Sequence, residues 1–147
     1  MDTIPIWRTN QHYMGGEFVD MIRELMEKKQ MLLIYQEQEM WFNYRKPRPP
    51  KGGAYFFAAK LNVPIISCFV EIVDTQEDDT PEFRQVKYVL HVLDVLYPDP
   101  AKSVRENTEM LSERDYALKK ECYESVYGKK LTYAFEDTDI AGWKEAR

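Results

Sequence analysis

What this sequence has little of narrows it quickly. It holds two cysteines, Cys68 and Cys122. They stand far apart in apolar surroundings and in no CxxC or zinc-ligand spacing, which argues against a disulfide-built scaffold and for two reduced thiols. No stretch approaches the run of about 20 apolar residues that a bilayer span requires. The opening Met1-Asp2-Thr3-Ile4-Pro5-Ile6 has neither a charged leader nor a long apolar region, so it does not read as a signal peptide. There is no basic excess: the net charge of -5 argues against a nucleic-acid partner, which needs a positive surface. Histidine is nearly absent, with His12 and His91 alone, and no metal-ligand cluster or internal repeat stands out.

What is present describes a folded chain. At 147 residues it is one domain or the larger part of one, long enough to bury roughly two-thirds of its unfolded surface. The order of apolar patterns predicts an α/β fold with a mostly parallel sheet flanked by helices. Thr3–Trp7 reads as a short strand, and residues 11–29 as a helix, with Phe18, Met21, Ile22, Leu25 and Met26 forming one apolar stripe. The unbroken run Met31–Tyr35 predicts a strand covered on both faces. Residues 36–53, carrying Pro47, Pro49 and Pro50, read as a long loop, more often functional than decorative. A short helix follows over Ala54–Leu61 with Asn62 as its C-cap, then a buried strand over Val63–Val70, an acidic surface loop over Asp74–Glu82, and a third strand over Val86–Leu96. Val104, Leu111, Leu118, Cys122 and Val126 mark a long helix ending at Gly128. Residues 1–135 are thus expected to form a single domain, with Leu131–Phe135 as a small strand or arm and 136–147 as a frayed polar tail. An apolar stretch so close to the first residue reads as a domain begun mid-architecture.

Ligands of such sheets gather at the C-terminal ends of the strands, and Arg8 and Glu37 fall just past two expected ends. The loop beyond Glu37 interleaves Arg45, Lys46, Arg48 and Lys51 with Trp41, Phe42 and Tyr44. Guanidinium groups grip phosphate bidentately and lysine adds a point charge, so this is a candidate anion-binding lip. Its aromatics suit the apolar body of a lipid or a membrane interface. A solvated loop with Glu37 paired to one of its own cations is the plainer reading.

Ile4-Pro5-Ile6-Trp7-Arg8, Leu33-Ile34-Tyr35-Gln36-Glu37-Gln38, Pro50-Lys51-Gly52-Gly53-Ala54 and Val63-Pro64-Ile65-Ile66, in that order, resemble the glycerol-phosphate acyltransferase family, which includes lysophosphatidate acyltransferases. The likeness covers about residues 3–73. It implies part of an acyltransferase-like α/β domain in which Arg8 and Glu37 contact the glycerol phosphate and Lys51 opens the next helix. The family's Pro-Glu-Gly-Thr-Arg becomes Gln36-Glu37-Gln38-Glu39-Met40, keeping the glutamate and losing the arginine, for which Arg45 is the expected substitute. The second proline of its Val-Pro-Ile-x-Pro strand is Ser67 here.

The family's His-x4-Asp pair, whose histidine takes the proton from the acceptor hydroxyl, would lie upstream of Arg8 and is absent. His12 and Glu17 have the spacing, but follow the arginine instead of preceding it. Five helical positions at about 100° each would put them on different faces. His91 falls in an expected strand. The resemblance therefore implies transfer of an acyl chain from a thioester of coenzyme A or acyl carrier protein to a lysophospholipid or glycerol-phosphate acceptor, with the base missing and the chain by itself inactive. No bound cofactor or metal is implied. The alternatives are a non-catalytic relative that binds an anionic lipid or a protein partner, and a small α/β domain whose likeness is accidental. The expected location is cytoplasmic with peripheral membrane contact. An uncovered sheet face would favour self-association.

Overall fold

The computed structural model describes residue 6, residues 9–28 and residues 31–144. Arg8 and most of the first expected strand therefore lie outside the described residues. Helices and a sheet are both present, so the chain mixes α and β structure: α1 (Gln11–Gly15), α2 (Glu17–Glu27), α3 (Gly53–Leu61), β1 (Ile65–Asp78), β2 (Arg84–Leu96), α4 (Val104–Tyr127) and a 3-10 turn at Asp137–Asp139. The helix expected over residues 11–29 is two, broken where Gly16 leaves helical geometry (φ -118°, ψ -94°). Phe18, Val19 and Ile22 form the buried face of α2, and the Phe18 ring meets Phe57 of α3 at 5.1 Å.

Local signals account for the two helices that hold the core. Asn62 ends α3 in left-handed geometry (φ 53°), a conformation its short polar side chain tolerates. Ser103 and Glu106 close a reciprocal capping box at the start of α4, and Gly128 ends it with φ 65°. Between α3 and α4, Tyr55, Ala58, Ala59 and Leu111 pack with Leu96 from the end of β2. The small alanines let the helices approach closely, and Tyr55 and Leu111 fill the space between.

The sheet corrects the expected mostly parallel arrangement. Among the described residues it has two strands, β1 and β2, paired antiparallel from Ile65↔Leu96 to Asp78↔Arg84, with a bulge between Ser67 and Cys68. The reason is the connection: only residues 79–83 separate the strands, enough for a hairpin turn, whereas parallel neighbours need a crossover of a dozen residues or more. Part of the expected acidic loop, Asp74–Asp78, is strand. Met31–Tyr35 is no buried strand either. Its residues pair with no strand, and Met31 is 88% and Tyr35 78% exposed. An apolar run becomes a strand only where a second strand satisfies its backbone.

Residues 131–135 form no strand, and 136–144 do not fray. Ile140 bridges Tyr44, Trp143 bridges Phe83, and Asp139 and Ala141 are buried. This segment ties the 36–53 loop to the hairpin. Gly142 makes it possible: at φ 76°, with its would-be Cβ 2.6 Å from the Arg84 carbonyl oxygen, it is a place only glycine fits. Its N–H donates to Asp74 Oδ1 at 2.6 Å, and its carbonyl accepts from the Arg84 N–H at 2.7 Å. Cys68 and Cys122 are free and half-buried. The hairpin leaves Val70, Tyr88, Leu90 and Val92 exposed. Among the described residues no helix is long and apolar enough to cross a membrane.

Candidate functional site

The long loop is folded back on its own start. The Lys51 N–H donates to the Gln36 carbonyl at 2.8 Å, so the residues flanking Glu37 and those preceding α3 run side by side. Glu37 is half-buried there, and its Oε1 accepts the Arg48 N–H at 3.1 Å. Burial raises the Glu37 pKa above the ordinary carboxylate value, and the hydrogen bond from Arg48 and the charges of Arg48 and Lys119 offset only part of that rise. Lys51 is exposed at the head of α3. The fold thus brings the backbone at Lys51 alongside that at Gln36, next to Glu37; the cations whose charge reaches the Glu37 carboxyl are Arg48 and Lys119.

Arg45 goes elsewhere. Its guanidinium donates to the carbonyls of Ile72 (3.3 Å) and Thr138 (2.6 Å), pairs with Asp74 at 2.6 Å and lies over the Tyr127 ring. Together with the Tyr127 hydroxyl, which accepts the Ile72 N–H at 2.8 Å, it covers the outer edge of β1. The arginine expected to reach into the lip is a clasp between the loop, β1 and the C-terminal segment. Lys46 is also structural: its ammonium is buried against Asp139 (2.6 Å) and the Ala134 carbonyl (2.7 Å).

The arginine beside Glu37 is Arg48. Its guanidinium sits 3.9 Å from the Trp41 ring centroid and 5.3 Å from that of Tyr44, and pairs with Glu39 at 2.5 Å. Gln38, at φ 59°, turns the backbone between Glu37 and Glu39, and both carboxylates meet Arg48, one through its backbone and one through its side chain.

Beneath the loop lies a polar group that sequence reasoning missed. The Tyr55 hydroxyl donates to Asp115 Oδ2 at 2.5 Å and the Lys119 ammonium donates to the same oxygen at 2.8 Å. Burial, then the Asp115 carboxylate, pushes the Tyr55 pKa far above that of a free phenol. With the Gln36 amide oriented to satisfy both ends, its oxygen accepts from Lys119 and its nitrogen donates to the Ile34 carbonyl at 3.2 Å. Gln36 thus ties the loop to α4 through Lys119, and Asp115 links Lys119 on to Tyr55 of α3. Asp115 and Lys119 are one helical turn apart, a spacing visible in sequence; Tyr55, sixty positions earlier, carried no signal beyond its apolar surroundings.

Neither histidine reaches this surface. His12 is exposed on α1, and His91 Nε2 contacts Glu71 Oε2 at 2.7 Å across the hairpin. The arrangement sets a raised-pKa carboxyl, able to hydrogen-bond a hydroxyl, beside the Arg48 guanidinium, able to meet an anion. Comparisons with protein-family models, with curated proteins and with solved structures give no match to this chain.

Proposed function

We propose that this chain belongs to an acyltransferase of glycerolipids and binds the glycerol-phosphate end of a lysophospholipid-type acceptor, while the base that activates the acceptor hydroxyl comes from outside it. The observation that supports the reading is the closure of the loop by the Lys51 N–H on the Gln36 carbonyl, which folds the chain before α3 back onto the half-buried Glu37, whose carboxyl accepts the Arg48 N–H. A glycerol phosphate offers both complements, hydroxyls for a half-buried carboxyl and a dianion for a lysine. Arg8 would complete the phosphate grip, and Arg45, committed to Asp74 and Thr138, is left out of it. In the reaction the acceptor oxygen attacks the thioester carbonyl of an acyl-coenzyme A or acyl carrier protein, the thiolate leaves, and the hydroxyl proton passes to the base.

One observation favours a second reading, a non-catalytic relative that binds an anionic headgroup: His91 is engaged with Glu71 and His12 faces solvent on α1. Two assays test what both readings share, a headgroup site and the absence of a base from this chain. Calorimetric titration with lysophosphatidate should show binding that Arg8→Ala or Lys51→Ala weakens by well over tenfold, the worth of one charge-assisted hydrogen bond. Unchanged affinity in both variants would reject the headgroup site. Incubation with acyl thioester and lysophosphatidate should give no turnover by the chain alone; turnover abolished by His12→Ala would place the base within it.

A further inference from the structure

We infer that Glu39 is a built-in competitor for the anion at this loop: it occupies the Arg48 guanidinium, and a phosphate monoester binds there by displacing it. This rests on the headgroup reading above and adds the residue that meets the charge and the residue that regulates access to it.

The two partners are unequally held. The Arg48 side chain is 13% exposed and that of Glu39 is 59% exposed. Arg48 is fixed by the Trp41 and Tyr44 rings and by its own N–H on Glu37, so its fork of donors is already oriented and loses little freedom when an anion arrives. Glu39 reaches it from the far side of the Gln38 turn. An exposed carboxylate on a pre-set guanidinium contributes little stability and exchanges readily for a better ligand. A phosphate monoester is that ligand: it carries more charge and can meet the guanidinium through two oxygens, where Glu39 meets it through Oε2.

The surrounding charges decide which ligands succeed. Glu37, when ionised, opposes any anion; burial raises its pKa, which lessens that opposition. Lys119 is neutralised by Asp115 at 2.8 Å. While Glu39 sits on Arg48 the guanidinium charge is matched; with Glu39 swung into solvent, that charge is free to meet the ligand.

The test uses the full chain as wild type, Glu39→Gln and Arg48→Lys, titrated with inorganic phosphate, with glycerol 3-phosphate, and with phosphatidylcholine vesicles lacking or containing phosphatidate. Glu39→Gln alters an exposed side chain and leaves the fold intact. It should bind glycerol 3-phosphate about three- to tenfold more tightly than wild type, and Arg48→Lys, which keeps the charge and loses the fork, about tenfold less tightly. A response to phosphatidate vesicles alone would identify the source as a lipid headgroup, and a response to the free esters as a small phosphate, both through the same seat. Equal affinity of wild type and Glu39→Gln, with Arg48→Lys weakened, would overturn the displacement and leave the headgroup reading standing. Arg48→Lys binding as wild type would overturn the seat itself. No binding of any phosphate ester by all three proteins would reject the headgroup reading and this inference with it.

Discussion

Replacing Lys46 with methionine removes one partner of the most deeply buried ion pair among the described residues. The Lys46 and Asp139 side chains are 1% and 0% exposed and stand 2.6 Å apart. Methionine fills the same space, so the loss is electrostatic, not a cavity. Asp139 Oδ2 would keep the Glu136 N–H at 2.9 Å. Its other oxygen has no hydrogen bond, and the nearest remaining cation, Lys129, lies 3.6 Å away. A buried carboxylate stripped of its partner costs about 3–5 kcal/mol, roughly 6–20 °C in melting temperature for a chain of this size. Urea unfolding followed by circular dichroism measures it. Lys46→Met combined with Asp139→Leu should be more stable than Lys46→Met alone, because no unpaired charge is left inside. A loss below about 1 kcal/mol for the single variant would refute the reasoning: it would mean that water reaches Asp139 and that residues 136–144 do not seal the loop against the hairpin.

Gly142→Ala places a methyl group 2.6 Å from the Arg84 carbonyl at φ 76°; a loss of about 1–3 kcal/mol is expected, and protease cleavage within 136–144 should become faster. Tyr55→Phe removes the hydroxyl bonded to Asp115 and should cost about 1.5–3 kcal/mol in urea unfolding, with no loss meaning that Asp115 finds water instead. Glu37 has a folded-state pKa raised above the ordinary 4.5, so in the window above that value the folded chain holds more protons than the unfolded one. Stability contributed by the protonated group is complete below that window and declines as pH rises through the folded pKa. Glu37→Gln, which keeps an acceptor for the Arg48 N–H, should flatten this decline; an unaltered pH profile would show that Glu37 is not the group responsible.

The helices were legible because their signals are local. Gly128 and Asn62 announce their helix ends within a few residues, and those ends agree with the structure, whereas the capping box of Ser103 and Glu106 went unread. The two strands were visible as apolar segments, but their orientation was not. Reading Asp74–Glu82 as one long loop concealed that β1 runs on to Asp78 and turns straight back. Met31–Tyr35 failed for a different reason: an apolar run reports a preference for burial, and carries no information about whether a partner strand is there to provide it. The C-terminal segment was misread from its polarity, since Asp139 and Lys46 are buried only because they meet each other from 93 positions apart. Around the candidate site, Glu37 and Lys51 stood out as exceptions after an apolar run and before a helix. Arg45 and Arg48 have the same composition and neighbourhood in sequence. Only the fold separates them, sending Arg45 to Asp74 and laying Arg48 on Trp41.

The most direct test of the central claim is amide mapping of the isotope-labelled chain with a short-chain lysophosphatidate below its micelle concentration. If the loop is a headgroup site, the amides of residues 36–53 and of Tyr55 and Lys119 shift in a saturable way, while β1 and β2 beyond Ile72 stay in place. Shifts confined to the exposed apolar residues of the hairpin, with residues 36–53 unchanged, would contradict it and mark any lipid contact as unspecific.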